Sequence, residues 1–186
     1  MGRIEDLAKR YENHIAAPWQ QGLAGDQKSI FVVYPKEEER RLRARIELFE
    51  IATKKGGHTW RLHDFTATFA QWMAREEYRD AYFEEPDTIT MKLRSSFLKY
   101  TSEELHKTLV NDEVDGNTVV AVLGVGSLFG FAKVSLILKE VATSIRGRLL
   151  VFFPGEFENN NYRLLDARDG WNYLAVSITL SNGVGD

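Results

Sequence analysis

Hydrophobic positions along the chain fall into short solid runs separated by longer stretches of helical period. Ser29-Ile-Phe-Val-Val-Tyr34, Thr118-Val-Val-Ala-Val-Leu123 and Leu149-Leu-Val-Phe-Phe153 are unbroken apolar runs rich in β-branched and aromatic residues. Such runs predict strands covered on both faces, as in a parallel sheet. The second passes at once into Gly124-Val-Gly126-Ser-Leu-Phe-Gly130 and then into a helical pattern through Val134, Ile137, Leu138 and Val141. With Leu149–Phe153 it predicts a βαβ unit over residues 117–162. In parallel sheets, binding sites form in the loops after the strand C-termini. Those loops are expected at the Gly124 turn and at the polar segment from Pro154 to Arg163, where the last run stops.

The remaining pattern supplies the rest of an α/β domain. Ile4, Leu7, Ala8, Tyr11 and Ile15 mark an amphipathic helix that Pro18 ends. Residues 36–55 predict a long helix with Leu42, Ile46 and Phe49 on its apolar side and Gly56-Gly57 as its stop; Glu37/Arg41 and Glu39/Arg43 are spaced to pair across one turn. His58–Asp64 alternates like a second strand. From Phe65 to Asn111 the pattern is helical, with Phe65, Phe69, Trp72 and Met73 in one stripe and Ile89, Leu93, Phe97 and Tyr100 in another. Thr101 with Glu104 reads as a capping box before a further short helix. About fifty residues exceed what one crossover helix needs, so a helical elaboration at about 65–111 is expected beside the sheet. Within it, Tyr78, Tyr82 and Phe83 are core residues or anchors for a partner protein, core packing being the commoner role for most of them. A final strand is placed near Leu174–Ile178, and Asn182-Gly183 marks a frayed end. The fold class is therefore α/β: a mostly parallel sheet with flanking helices, Rossmann-like or degenerate P-loop-like, with a helical insertion, in one domain spanning residues 1–186.

Composition narrows the chemistry. The formal net charge of −3 provides no global attraction to nucleic acid or to an anionic membrane, so direct DNA binding is not expected. The arginines at 40, 41, 43 and 45 offer a phosphate-binding ridge or, more commonly, a solvated helix face diluted by the preceding glutamates. Absence of cysteine excludes disulfides, thiol nucleophiles and cysteine metal sites. The N-terminal residues have charges where a signal peptide needs its apolar run, and the longest uncharged stretch falls short of a membrane span, so a cytoplasmic protein is expected.

The common catalytic patterns are absent from the sequence. No G-x-x-x-x-G-K-[ST] cradle occurs, and Pro35-Lys-Glu-Glu-Glu stands where one would follow the first strand. Gly124-x-Gly126-x-x-x-Gly130 has its third glycine one place late for a dinucleotide fingerprint and lacks the acidic ribose partner. Neither G-x-S-x-G nor H-E-x-x-H is present. His58 and His63 are five apart on a strand and point to opposite faces, which rules out a shared metal. His63 and Asp64 fall at a strand end where sites form, although an ordinary histidine and a capping aspartate explain them as well. Asp64, Glu156, Asp166 and Asp169 are the carboxylates that a Mg²⁺ site near the upper sheet edge would draw on. No catalytic, cofactor-binding or metal residue is assigned.

Val119-Ala-Val-Leu-Gly-Val-Gly-Ser-Leu-Phe-Gly-Phe131, followed by Leu149-Leu-Val-Phe-Phe-Pro-Gly-Glu-Phe157 and Asn160-Asn-Tyr-Arg163, resembles the BrxB family of bacteriophage exclusion (BREX) systems. The resemblance extends upstream through Tyr34-Pro35 and the helix after it. It implies a component of a multi-protein anti-phage defence system whose companions include a methyltransferase, a large ATPase and the alkaline-phosphatase-like protein PglZ. It also implies a family without established catalytic residues. The expected function is that of a non-enzymatic adaptor binding PglZ and possibly the ATPase and methyltransferase; the alternative is a degenerate nucleotide-binding or Mg²⁺-dependent phosphoryl-transfer domain. The family words Gly124, Gly126, Phe152, Phe153, Pro154, Gly155, Glu156, Asn160, Asn161, Tyr162 and Arg163 are the candidate partner-docking residues.

Overall fold

The structure, a computed structural model, describes residues 2–166 and 174–180. Five parallel strands form the centre: β1 (Ser29–Tyr34), β2 (Thr59–Asp64), β3 (Thr118–Leu123), β4 (Arg148–Glu158) and a short β6 (Val176–Ile178), in the order β2-β3-β4-β1-β6. β1 lies against β4 in register from Ser29 opposite Leu149 to Tyr34 opposite Pro154. Every residue of β1 and β3 is buried, as two-sided coverage requires of solid apolar runs.

Alternation along the strands divides the core into two halves. Ile30, Val32, Tyr34, Leu150 and Phe152 face α1 (Arg3–Ile15) and α3 (Ile46–Lys55). There Phe49 meets Phe152 edge-on at 4.9 Å, and the Tyr11 hydroxyl lies 2.6 Å from Thr53 Oγ1. Phe31, Val33, Leu149, Val151 and Phe153 face the other way, toward α4 (Thr68–Met73), α7 (Leu98–Leu109) and α8 (Val134–Val141). Complete burial of residues such as Phe152 and Phe153 contributes about 1.5–3 kcal/mol each.

Three expectations are corrected in detail. The stretch 36–55 is broken: a 3₁₀ turn (Lys36–Glu38) leads into α2 (Glu39–Ala44), and Arg45, at φ −123° and ψ 12°, leaves the helical basin before α3 begins. Thr101 opens no helix. It lies inside α7, buried, with its hydroxyl donating to the Phe97 carbonyl, so the apparent capping box is a back-bonded mid-helix threonine. The helix before it is continuous from α6 (Thr90–Lys92) through a π turn at Leu93–Phe97. Pro154 to Arg163 is not a loop: β4 continues to Glu158 and turns back as β5 (Asn161–Leu164), antiparallel to it. Asn159 and Asn160, with φ of 51° and 62°, make the turn, as asparagine does where both central residues need positive φ. β4 escapes the usual bar on proline because Pro154 sits where the parallel ladder ends, opposite the last residue of β1.

The helical elaboration is present, with α5 (Arg79–Glu84) and a 3₁₀ turn (Pro86–Ile89) ahead of α6. Tyr82 is half-buried against the core, whereas Tyr78 and Phe83 are exposed, so core packing accounts for only one of these three aromatics. Of the stretches named above, Asn182-Gly183 lies outside the described residues.

Candidate functional site

The crossover from β1 leaves over one face of the sheet toward β2, while β4 feeds the hairpin with β5, whose Tyr162 packs on the other face. Crevices of this kind, at the carboxyl ends of neighbouring strands whose connections diverge, are where α/β sheets place ligands. Here a cleft of about 420 Å³ opens, lined by Lys36, Glu39, Arg43, Thr66, Ser127 and Pro154 among others.

Its polar walls are bonded to one another. Tyr34, at the end of β1 and almost wholly buried, donates its hydroxyl to the Glu39 carboxylate. Arg43, one turn along α2, donates from Nε to Glu39 at 2.8 Å, from Nη2 to the Thr66 hydroxyl at 2.8 Å and from Nη1 to Asp64 at 3.4 Å. Asp64 ends β2 and accepts from the Thr66 amide at 2.9 Å and from its hydroxyl, closing an Asx turn rather than capping α4. Lys36 is paired with Asp166. Burial pushes the Tyr34 hydroxyl far above its ordinary pKa, and Glu39 adds to the shift. Although burial works against its charge, Asp64 is held below the usual carboxylate range by Thr66 and Arg43. Burial likewise opposes the Arg43 charge, and Glu39 and Asp64 more than offset it. Lys36 is raised, first by its bond to Asp166. Each cation of the cleft thus has a carboxylate of the same chain as its counter-ion.

The glycines of the β3 loop serve this architecture. Gly124 adopts φ 80°, and a Cβ there would stand 2.6 Å from Asp64 Oδ1 and 2.8 Å from the Thr66 amide nitrogen, so only glycine lets the loop pass over the Asx turn. A Cβ on Gly126 would press on the Pro154 ring at 3.3 Å.

The other signature residues divide between core and surface. Phe152 and Phe153 are fully buried on opposite faces of the sheet. Tyr162 is also fully buried, its ring 4.7 Å from Phe31 and 4.5 Å from Phe157, and burial pushes its hydroxyl up to about 12. Pro154 is buried, and its carbonyl accepts from the Leu165 amide at 2.8 Å. Gly155 lies where the paired strand comes closest, since a Cβ there would overlap the Arg163 carbonyl. Glu156 is exposed beside Arg163 at 3.6 Å, and Asn160 and Asn161 are exposed at the hairpin tip. Only Glu156, Asn160, Asn161 and Arg163 therefore offer side chains to a partner.

The carboxylates considered for Mg²⁺ do not converge: Asp64 meets Arg43, Asp166 meets Lys36 and Glu156 meets Arg163, while Asp169 lies outside the described residues. No group of three potential metal ligands forms among the described residues. The arginine ridge is largely matched as well, Arg41 with Glu38, Arg43 with Glu39 and Arg45 with Glu5. Arg41 thus pairs at i,i+3 with Glu38 and not with Glu37, the partner its i,i+4 spacing predicts. No helix among the described residues is long and apolar enough to cross a membrane. Sequence reasoning missed Tyr34, Thr66 and Lys36 as parts of the cleft; for Tyr34 and Lys36 the available signal was their place at the end of the first strand.

Fold and cleft together define the class: a mostly parallel α/β domain whose crevice at the strand ends is internally neutralised and bears a hairpin on its rim. Residues 66–178 match the family model of BREX protein BrxB, and the chain belongs to that family. The matched span includes β3, the glycine loop, β4 and the hairpin, and begins after Tyr34-Pro35 and their helix. Neither the curated proteins nor the solved structures include a match to this chain.

Proposed function

We propose that this protein is a cytoplasmic, non-enzymatic assembly component of a BREX anti-phage complex, with PglZ as its first partner and the ATPase and methyltransferase as further ones. The observation that carries the reading is the internal pairing of the cleft. Charge-assisted bonds to a substrate phosphate would draw on the same guanidinium and ammonium donors that here face the chain's own carboxylates. Arg43 spends its donors on Glu39, Asp64 and Thr66, and Lys36 is paired with Asp166. Membership of a family that works within a multi-protein system supplies the context. Co-purification of the tagged protein with PglZ from cells expressing the system is the test; two well-folded proteins that fail to associate, alone or with the other components present, would remove the adaptor role.

The second reading, a degenerate nucleotide-binding or Mg²⁺-dependent phosphoryl-transfer domain, is favoured by the position of the cleft and by Lys36, Arg43 and Ser127 on its wall. Binding there would have to break the existing ion pairs. A nucleotide with Mg²⁺ at 100 times its Kd would stabilise the fold by about 2.7 kcal/mol, which a thermal shift reads directly.

A further inference from the structure

From Ala74 to Ser96 no residue is buried, although the segment is helical for much of its length. Tyr82, Ile89 and Leu93 hold it to the core as half-buried contacts. Its other large apolar side chains point away: Tyr78 is 62% exposed, Phe83 68% and Met91 82%. Aromatic residues and methionine are the types enriched in protein interfaces and at their energetic centres.

The same segment is strongly acidic. Glu76, Glu77, Asp80, Glu84, Glu85 and Asp87 put six carboxylates in twelve residues, against Arg79 as the one cation. None of the six joins an ion pair among the described residues. Arg79 turns its guanidinium to the Ala74 carbonyl at 2.8 Å, and Arg75 lies over the Tyr100 ring at 5.2 Å. The unmatched negative charge thus stands beside unmatched apolar surface, in contrast to the neutralised cleft.

Resting on the adaptor reading, we infer that this acidic arm, residues 76–91, is the docking surface, and that its occupant is a protein partner presenting an apolar groove rimmed by lysine and arginine. Nucleic acid is disfavoured, because six unpaired carboxylates repel phosphate. A second copy is disfavoured because it would bring the same formal net charge of −3 and the same acidic arm, and four of its exposed cations, Arg41, Arg45, Lys54 and Lys55, are already paired with Glu38, Glu5, Glu50 and Glu12. Apolar anchors supply affinity, while the carboxylates steer approach and reject acidic competitors.

The test uses the full chain and the PglZ of the same BREX system, with the remaining components added where PglZ alone does not bind. One variant carries Tyr78→Ser, Phe83→Ser and Met91→Ser; a second carries Glu84→Lys, Glu85→Lys and Asp87→Lys. All six positions are exposed, so both variants are expected to keep the wild-type melting profile. The apolar variant is expected to lose at least about tenfold in affinity. The charge variant is expected to associate more slowly at low salt and to lose the salt dependence of the wild type. If the wild type binds and both variants bind equally well, the arm is not the surface and the adaptor reading stands. If the wild type binds no component, the adaptor reading falls and the arm falls with it. A wild-type dimer that the charge variant dissociates would assign the arm to a second copy and overturn the basic partner. Should the apolar variant fail to fold, the charge variant alone decides.

Discussion

Nδ1 of His63 lies 2.8 Å from the Thr108 hydroxyl, joining β2 to α7, while its Nε2 is buried with no hydrogen-bond partner among the described residues. Burial lowers the pKa of this imidazole below its ordinary value of 6.5, outweighing the opposing pull of Glu104 and Asp64. The folded state therefore prefers the neutral ring. Below pH 6.5 the unfolded chain takes up a proton that the folded chain resists, so stability falls as pH drops through that window and is fully present above it. His14, also lowered by burial, contributes with the same sign. Urea midpoints measured between pH 5 and 7.5 should fall on the acid side, and His63→Gln should flatten the part of that slope due to this residue. An unchanged slope in the variant would remove His63 as a source.

The edge-on contact of Phe49 and Phe152 predicts a second outcome. Both rings are fully buried, and Phe152→Ala would open a cavity between the sheet and α3 that neighbouring strands, fixed by parallel pairing, cannot close. The expected loss is about 3–5 kcal/mol in denaturant titration. A loss under 1 kcal/mol would show that the site collapses freely.

How much of this was legible before the structure depends on the length scale of the signal. Ser29–Tyr34 and Thr118–Leu123 were delimited correctly, since five consecutive apolar residues behind a serine or threonine admit few other roles. The hairpin was missed because Pro154-Gly155 reads as a strand stop. Its actual marker was the pair Asn159-Asn160, two residues with positive φ flanked by Phe157 and Tyr162, which are partners across the ladder. Thr101 misled because a capping box and a back-bonded threonine share one sequence pattern. The cleft was beyond reach for a different reason. Arg43 follows β1 and Asp64 ends β2, two strands with β3 and β4 between them, and only strand order reveals that the crossover brings the one to the other.

That crossover contact gives a third prediction. Arg43 is about one-third exposed and holds Glu39, Asp64 and Thr66 through three different nitrogens. Lysine keeps the charge but has no planar fork with which to reach all three. Arg43→Lys is expected to lower stability by about 1 kcal/mol, and less in high salt. Chemical denaturation at 50 mM and 1 M NaCl measures both effects; a variant as stable as the parent at low salt would show that the network is not cooperative.

The hairpin supplies the last prediction, one that separates architecture from docking within the family signature. Gly155 sits where the Arg163 carbonyl leaves no room for a Cβ, and Tyr162 fills a pocket made by Phe31, Phe153 and Phe157. Gly155→Ala must push β5 away, and Tyr162→Ala removes a fully buried ring at a cost of about 3–5 kcal/mol. Both are therefore expected to reduce phage defence through lower stability and lower abundance. Glu156→Ala alters only an exposed carboxylate 3.6 Å from Arg163 and should leave the melting temperature within a degree or two. Complex assembly by Glu156→Ala then isolates the docking role of the hairpin rim: lost assembly at unchanged stability would place a partner there, whereas full assembly leaves the hairpin as a brace that closes one half of the core.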